Sequence, residues 1–172
     1  AGVDELHHQT VSLLSFQELP KRVFDAQVAF NLQASLGEEG AVHLAATRDR
    51  IRKDALSLLG SGLSGSVSVN LIQAPVFHGY LLSVYTRLAR AVSEEEIRAA
   101  LAGGIVSAQA DTQPSNQAAV ESGELMISVR ADAGEPGAAW LLLAADNLRL
   151  AARTAVAAAM DLAALRPSSG VQ

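Results

Sequence analysis

A chain of 172 residues, 49% hydrophobic and 18% charged, has the length and usage of an ordinary globular domain with a core of its own. Its net charge of -5 disfavours sequence-independent attraction to nucleic acid or anionic lipid, which needs a positive surface. The lack of cysteine excludes disulfides, thiolate metal sites and a cysteine nucleophile within these residues. The longest apolar run, Ala138 to Ala145, is too short to cross a bilayer, and no signal-like segment opens the chain, so a soluble cytoplasmic protein is expected.

In chain order, Val3, Leu6, Thr10, Leu13 and Leu14 recur at helical spacing and predict a short amphipathic helix. Pro20 closes the entry loop. The mixed apolar and polar residues from Val23 to Leu32 suit a strand or a short helical turn. From Glu38 to Leu59, Val42, Leu44, Ala45, Ile51, Ala55, Leu58 and Leu59 line one side of a helix that Gly60 ends. Its polar side carries Arg48, Asp49, Arg50, Arg52, Lys53 and Asp54, which read either as a solvated ion-paired face or as an arginine cluster for a carboxylate or phosphate. Gly60 to Gly65 is turn-rich, and Ser66 to Ile72 alternates polar and apolar residues like a half-buried strand.

Pro75 cannot donate to a ladder, so it marks an edge, a bulge or a strand end, and a further strand is expected from Tyr80 to Leu88. Ser93 and Glu96 have the spacing of a capping box for a helix through Ala102, stopped by Gly103 and Gly104. Ala108 to Gly123 reads as a loop. Glu124 to Asp132 and Ala138 to Ala144 are strands joined by a turn at Ala133 to Gly137; the second is apolar throughout and needs cover on both faces. Asp146 is the expected cap of a last helix that runs to about Leu165 along an alanine-lined face. His7 and His8 are adjacent and diverge on a helix, with no ligand-type residue four positions on, so no metal site is expected.

The stretch from Gln73 to Tyr80, with Pro75, Val76 and Gly79, resembles the Val-Pro-Val-x-x-Gly-His strand and turn of the aspartate-semialdehyde dehydrogenase family. Other blocks follow in the same order. They are Ala1 to Thr10, then Gln27, Ala29, Phe30 and Asn31, then the Ser93 helix, then Arg130 with Trp140, and finally Asp146, Asn147, Leu148 and Arg149. The resemblance implies an α+β fold, a mixed, largely antiparallel sheet with helices over one face, and a homodimer formed through that sheet. It also implies that the chain starts mid-protein, after a nucleotide-binding domain that supplies the family's thiol nucleophile and binds its cofactor, NADP.

The family's working residues are not carried over with the scaffold. Gln73 stands at the position of the substrate-binding Arg, Tyr80 at that of the catalytic His, and Ser128 at that of the first Arg of an Arg-x-Arg pair. Ala151, Ala155 and Ala158 replace a Gly, an Asn and a Gln that approach the nicotinamide. No catalytic and no cofactor-binding residue is therefore expected in this chain. Two substrate-binding candidates remain: Arg50, the one cation retained near the family's substrate-holding Glu and Lys, and His78. Two residues along a strand displace a side chain by about 6–7 Å, too far to serve the same proton, although a turn shortens that distance.

The sequence thus points to a single domain over residues 1–172, the homodimerisation domain of a catalytically degenerate semialdehyde dehydrogenase homologue. The alternative is the substrate and dimerisation domain of a working NADP-dependent enzyme of amino-acid biosynthesis that uses His78 and Arg50. In neither reading does the chain itself take a cofactor, a metal, nucleic acid or a membrane.

Overall fold

The computed structural model describes residues 1–60, 66–108, 111 and 113–165. Two compact units divide the chain, Ala1–Phe77 and His78–Gln172.

The first unit is built on helix α1 (Gly2–Leu14). Leu6, Phe24, Val28 and Ala29 form its buried core, with Leu13, Val23, Leu36 and Val42 packed against them. The segment after Pro20 folds as turns: Asp25 and Phe30 have φ of 49° and 57°, left-handed values that a strand does not hold. A chain bent in this way has no ladder to pair its buried backbone groups. Helix α1 supplies the partners from residues four apart on one face. The Glu5 carboxylate accepts from the amides of Val23 and Phe24 at 2.7 and 3.0 Å. Gln9, fully buried, accepts from Val28 and Ala29 at 2.8 and 3.1 Å and donates to the carbonyls of Pro20 and Ala26, both at 2.8 Å.

Helix α2 (Leu44–Leu59) starts later than its apolar pattern suggests. The residues before it are held in the loop, since Gly40 lies against the backbone of Val23 and Phe24 and the Ala41 amide donates to Val23 O at 2.8 Å. Gly60 ends α2 with a positive φ of 54°, as expected. The expected strand over Ser66 to Ile72 is not formed: the segment has no ladder, and the nearest pairing is an isolated bridge between Gln33 and Gln73. Alternation specifies which side of a strand would be buried, but it does not provide the neighbour. The turn-rich residues 61–65 lie outside the described residues.

The second unit is a four-stranded sheet in the order β1-β4-β3-β2, made of β1 (Tyr80–Arg87), β2 (Val106–Ser107), β3 (Leu125–Ala131) and β4 (Ala138–Ala145). β4 runs antiparallel to both of its neighbours, β1 and β3, and the short β2 runs parallel to β3. With five helices among the described residues this is the expected α+β class, its sheet mixed and largely antiparallel. Helix α3 (Glu94–Leu101) packs on β3 and helix α4 (Asn116–Ser122) on β4. Ile127 and Val129 of β3 are buried, whereas the alternate residues Ser128 and Arg130 are not, so the helices cover the Ile127 face at β3, while Leu82 and Val84 of β1 on that face stay exposed.

Local chemistry sets the helix ends. The Ser93 hydroxyl accepts from the Glu96 amide at 3.2 Å while the Glu96 carboxylate accepts from the Ser93 amide at 2.9 Å, the reciprocal box expected from the spacing. The bond from the Ser93 amide, with that from its hydroxyl, holds the Glu96 carboxyl below its ordinary range. Asp146 accepts from the amides of Leu148 and Arg149 at 2.9 and 3.1 Å and so caps α5 (Asn147–Leu165). The stretch Ala108 to Gly123, expected to be a loop, contains α4. Ser115 caps that helix by accepting from the Ala118 amide at 3.1 Å, and Gly123 ends it in the left-handed conformation. That Ser and Gly bracket was the signal for a helix in an otherwise weakly patterned stretch.

Candidate functional site

The turn into β1 is fixed by two asparagines. Gly79 has φ 89°, and a Cβ there would stand 3.0 Å from Cβ of Asn116 and 3.2 Å from Ala145 O; only glycine combines that φ with that approach. The Gly79 amide donates to Asn147 Oδ1 at 3.3 Å, and Asn116 Nδ2 donates to His78 O at 3.2 Å. The turn therefore hangs from α4 and the start of α5. Arg149 lies over the left-handed Gly123, where any Cβ would collide with its guanidinium group, and pairs with Asp146 at 3.7 Å. In the Asp146 to Arg149 block, three of the four side chains thus position the turn, the cap and the α4 end.

Past that turn, Tyr80 opens β1 opposite Ala145 and is 55% exposed. His78 is exposed and precedes the turn, so it shares no strand with Tyr80 and a displacement counted along a strand does not describe the pair. In the first unit the half-buried Gln73 donates from Nε2 to the neighbouring Ala74 O at 2.9 Å, while its backbone bridges Gln33. Arg50 is exposed on α2. Its neighbours are engaged locally, Arg48 with Asp49 at 3.0 Å and Arg52 with Val67 O at 3.1 Å. A cleft of ≈ 160 Å³ is lined by Leu36, Val42, His43, Arg48, Asn70 and Leu71 among others, but not by Arg50. That volume is below the roughly 300 Å³ at which pockets for cofactors and drug-sized ligands begin. Ala151, Ala155 and Ala158 are exposed on α5 and present only methyl groups. Among the described residues no three His, Cys, Asp or Glu side chains are grouped to hold a metal ion, and no helix is long and apolar enough to cross a membrane.

The sheet has the larger unspent surface. β1 is an edge strand whose substantial packing is with β4 alone, and seven of its eight residues are exposed. On the face away from α3 and α4 the register aligns Tyr85 with Trp140 and Arg130, and Leu81 with Ala144 and Met126. Tyr85 and Trp140 are each 41% exposed with ring centroids 4.8 Å apart. The indole N–H donates to Asp132 at 2.9 Å and the phenol to Glu135 at 2.6 Å, both on the β3–β4 turn. The carboxylate of Glu135 pushes the Tyr85 pKa up to about 12; the indole N–H, with the amides of Gly134 and Glu135, holds the Asp132 carboxyl below its ordinary range. Arg87 stands 3.8 Å from Glu135. The sequence reading placed Trp140 in a strand but did not single out this ring pair; a single Trp in an otherwise aliphatic run was the available signal.

Residues 1–150 match the family described as semialdehyde dehydrogenase, dimerisation domain. A USG-1 protein homolog of Pseudomonas aeruginosa is 44% identical over 91 residues, 53% of this chain and 27% of that protein. An aspartate-semialdehyde dehydrogenase of Rickettsia bellii is 31% identical over 158 residues, 87% of this chain and 45% of that one. Among solved structures, a probable aspartate-semialdehyde dehydrogenase from Pseudomonas aeruginosa superposes with a TM-score of 0.74 at 34% identity, over 86% of this chain and 45% of that chain. The chain thus spans less than half the length of these relatives.

Proposed function

Since the chain belongs to the semialdehyde dehydrogenase dimerisation-domain family, matched over residues 1–150, we propose that residues 1–172 act as one homodimerisation domain of an aspartate-semialdehyde dehydrogenase-like cytoplasmic protein and carry no catalytic activity of their own. The observation that carries this reading is the sheet face in the second unit where Tyr85, Trp140 and Leu81 remain exposed while Ile127 and Val129 on the opposite face are buried, the edge strand β1 being exposed on both faces. An apolar face left by a single helical layer is an association surface, and a two-fold pair closes it with one self-complementary patch.

The absence of activity is supported by side-chain chemistry. Neither Gln73 nor Tyr80 offers the guanidinium or the imidazole that a semialdehyde dehydrogenase uses at those positions, and the chain contains no cysteine nucleophile. Ala151, Ala155 and Ala158 leave the three α5 positions that face the nicotinamide in the family without polar groups. A second reading is favoured by the 31% identical relative named aspartate-semialdehyde dehydrogenase: the domain belongs to a working NADP-dependent enzyme in which Arg50 and His78 hold the substrate. Light scattering over a dilution series and calorimetric titration with an aspartate-semialdehyde analogue decide between them. The expected result is a dimer with no heat of analogue binding. Analogue binding that is lost in Arg50→Ala or His78→Ala would favour the second reading.

A further inference from the structure

We infer that helix α5 and the turn at Gly79 are one coupled device: the helix–coil equilibrium of α5 sets the placing of His78 and Tyr80, and the turn in return nucleates the helix. The attachments close a ring. Asn147, the first residue of α5, accepts from the Gly79 amide at 3.3 Å. On the other side of the turn the His78 carbonyl accepts from Asn116, the first residue of α4, at 3.2 Å. Helix α4 then ends at Gly123, against the guanidinium group of Arg149 on α5. Glycine has more backbone freedom to lose than any other residue, so the turn at Gly79 is fixed by these outside bonds rather than by its own sequence.

Beyond its first turn α5 has little else to hold it. Among the described residues it packs substantially on no other helix or strand, and Ala151 to Ala164 are exposed without interruption. Alanine favours the helix, but isolated helices of about 12–15 residues are marginal in water because the first turn is costly to form. The helix carries no acidic residue in its first turn and no basic one in its last, so its dipole is compensated only by Asp146 ahead of it. It therefore depends on a preformed first turn. Asp146 supplies part of that by accepting from the Leu148 and Arg149 amides, and Asn147 supplies the rest through the Gly79 turn. Such a coupling acts equally in both directions: a formed helix keeps the Asn147 side chain in place for the Gly79 amide, and a melted one releases it.

Ala155 is exposed and lies about 12 Å along the helix from Asn147, so a change there reaches the turn only through α5. In the 172-residue chain, Cα chemical shifts read the helix and amide hydrogen exchange reads the turn. Ala155→Pro is expected to bring the α5 shifts toward coil values, to speed exchange of the Gly79 amide at least threefold and to move the His78 and Tyr80 resonances. Asn147→Ala is expected to act in reverse, lowering the helical shifts from Ala155 to Ala159 as well as freeing Gly79. An α5 that melts in Ala155→Pro while Gly79 exchange stays unchanged would overturn the coupling, as would Asn147→Ala with α5 shifts like those of the parent chain. Faster exchange shared by the ladder amides of the central strand β4 would mean a general loosening of the unit and would overturn it too.

Discussion

The two units pair their backbone groups by opposite means. Between Pro20 and Gln33 the chain turns through left-handed residues, and the buried amides and carbonyls there are satisfied by two side chains of α1, Glu5 and Gln9. In the sheet the ladder satisfies the backbone internally, from Tyr80 opposite Ala145 to Arg87 opposite Ala138, so side chains there can all be apolar or aromatic. The difference teaches where polarity is needed inside a fold. Irregular backbone draws polar side chains into its core, while regular backbone releases side chains to make surface.

That contrast is broken most severely at Gln9. Gln9→Leu leaves two amides and two carbonyls without partners, each costing about 1–3 kcal/mol when buried, so a loss of about 4 kcal/mol or more in urea unfolding is expected from an otherwise conservative change in volume. Leu82→Gln in β1, where no backbone group waits on the side chain and the residue is 47% exposed, should cost far less; comparable losses at the two sites would remove the distinction.

A smaller effect belongs to the helix that covers the sheet. Ser93→Ala removes the hydroxyl that receives the Glu96 amide and should cost about 1 kcal/mol, with the Glu96 carboxyl returning toward its ordinary range in an NMR titration. No change in either reading would mean that the box does not hold α3.

The smallest effect is at the aromatic pair. Because Glu135 raises the Tyr85 pKa from 10.0 to about 12, the bond's contribution is complete below pH 10 and fades as the pH climbs toward 12. In a Tyr80→Phe background, the phenolate absorbance of Tyr85 should therefore appear only near the upper end of that range, and Glu135→Gln should bring it down. An unshifted titration would show that the phenol and the carboxylate are not joined in solution.

Most of the elements, and the family itself, were legible in the residues because their signals are local. The 3.6-residue spacing of Leu6 and its neighbours, Ser93 with Glu96, Gly60 after α2, Asp146 before α5 and the apolar strand from Ala138 all act within a turn or two of chain. What depended on distant neighbours was decided only by the tertiary structure. Ser66 to Ile72 has the alternation of a strand and finds no ladder; Asn147 and Asn116 become clamps because the fold brings the Gly79 turn to them. Glu5 and Gln9 look like polar positions on an amphipathic helix and turn out to be its most consequential buried contacts. Which face of the sheet stays open was likewise undecided until α3 and α4 settled over Ile127 and Val129, since a period of two assigns side chains to opposite faces without saying which one a helix will cover.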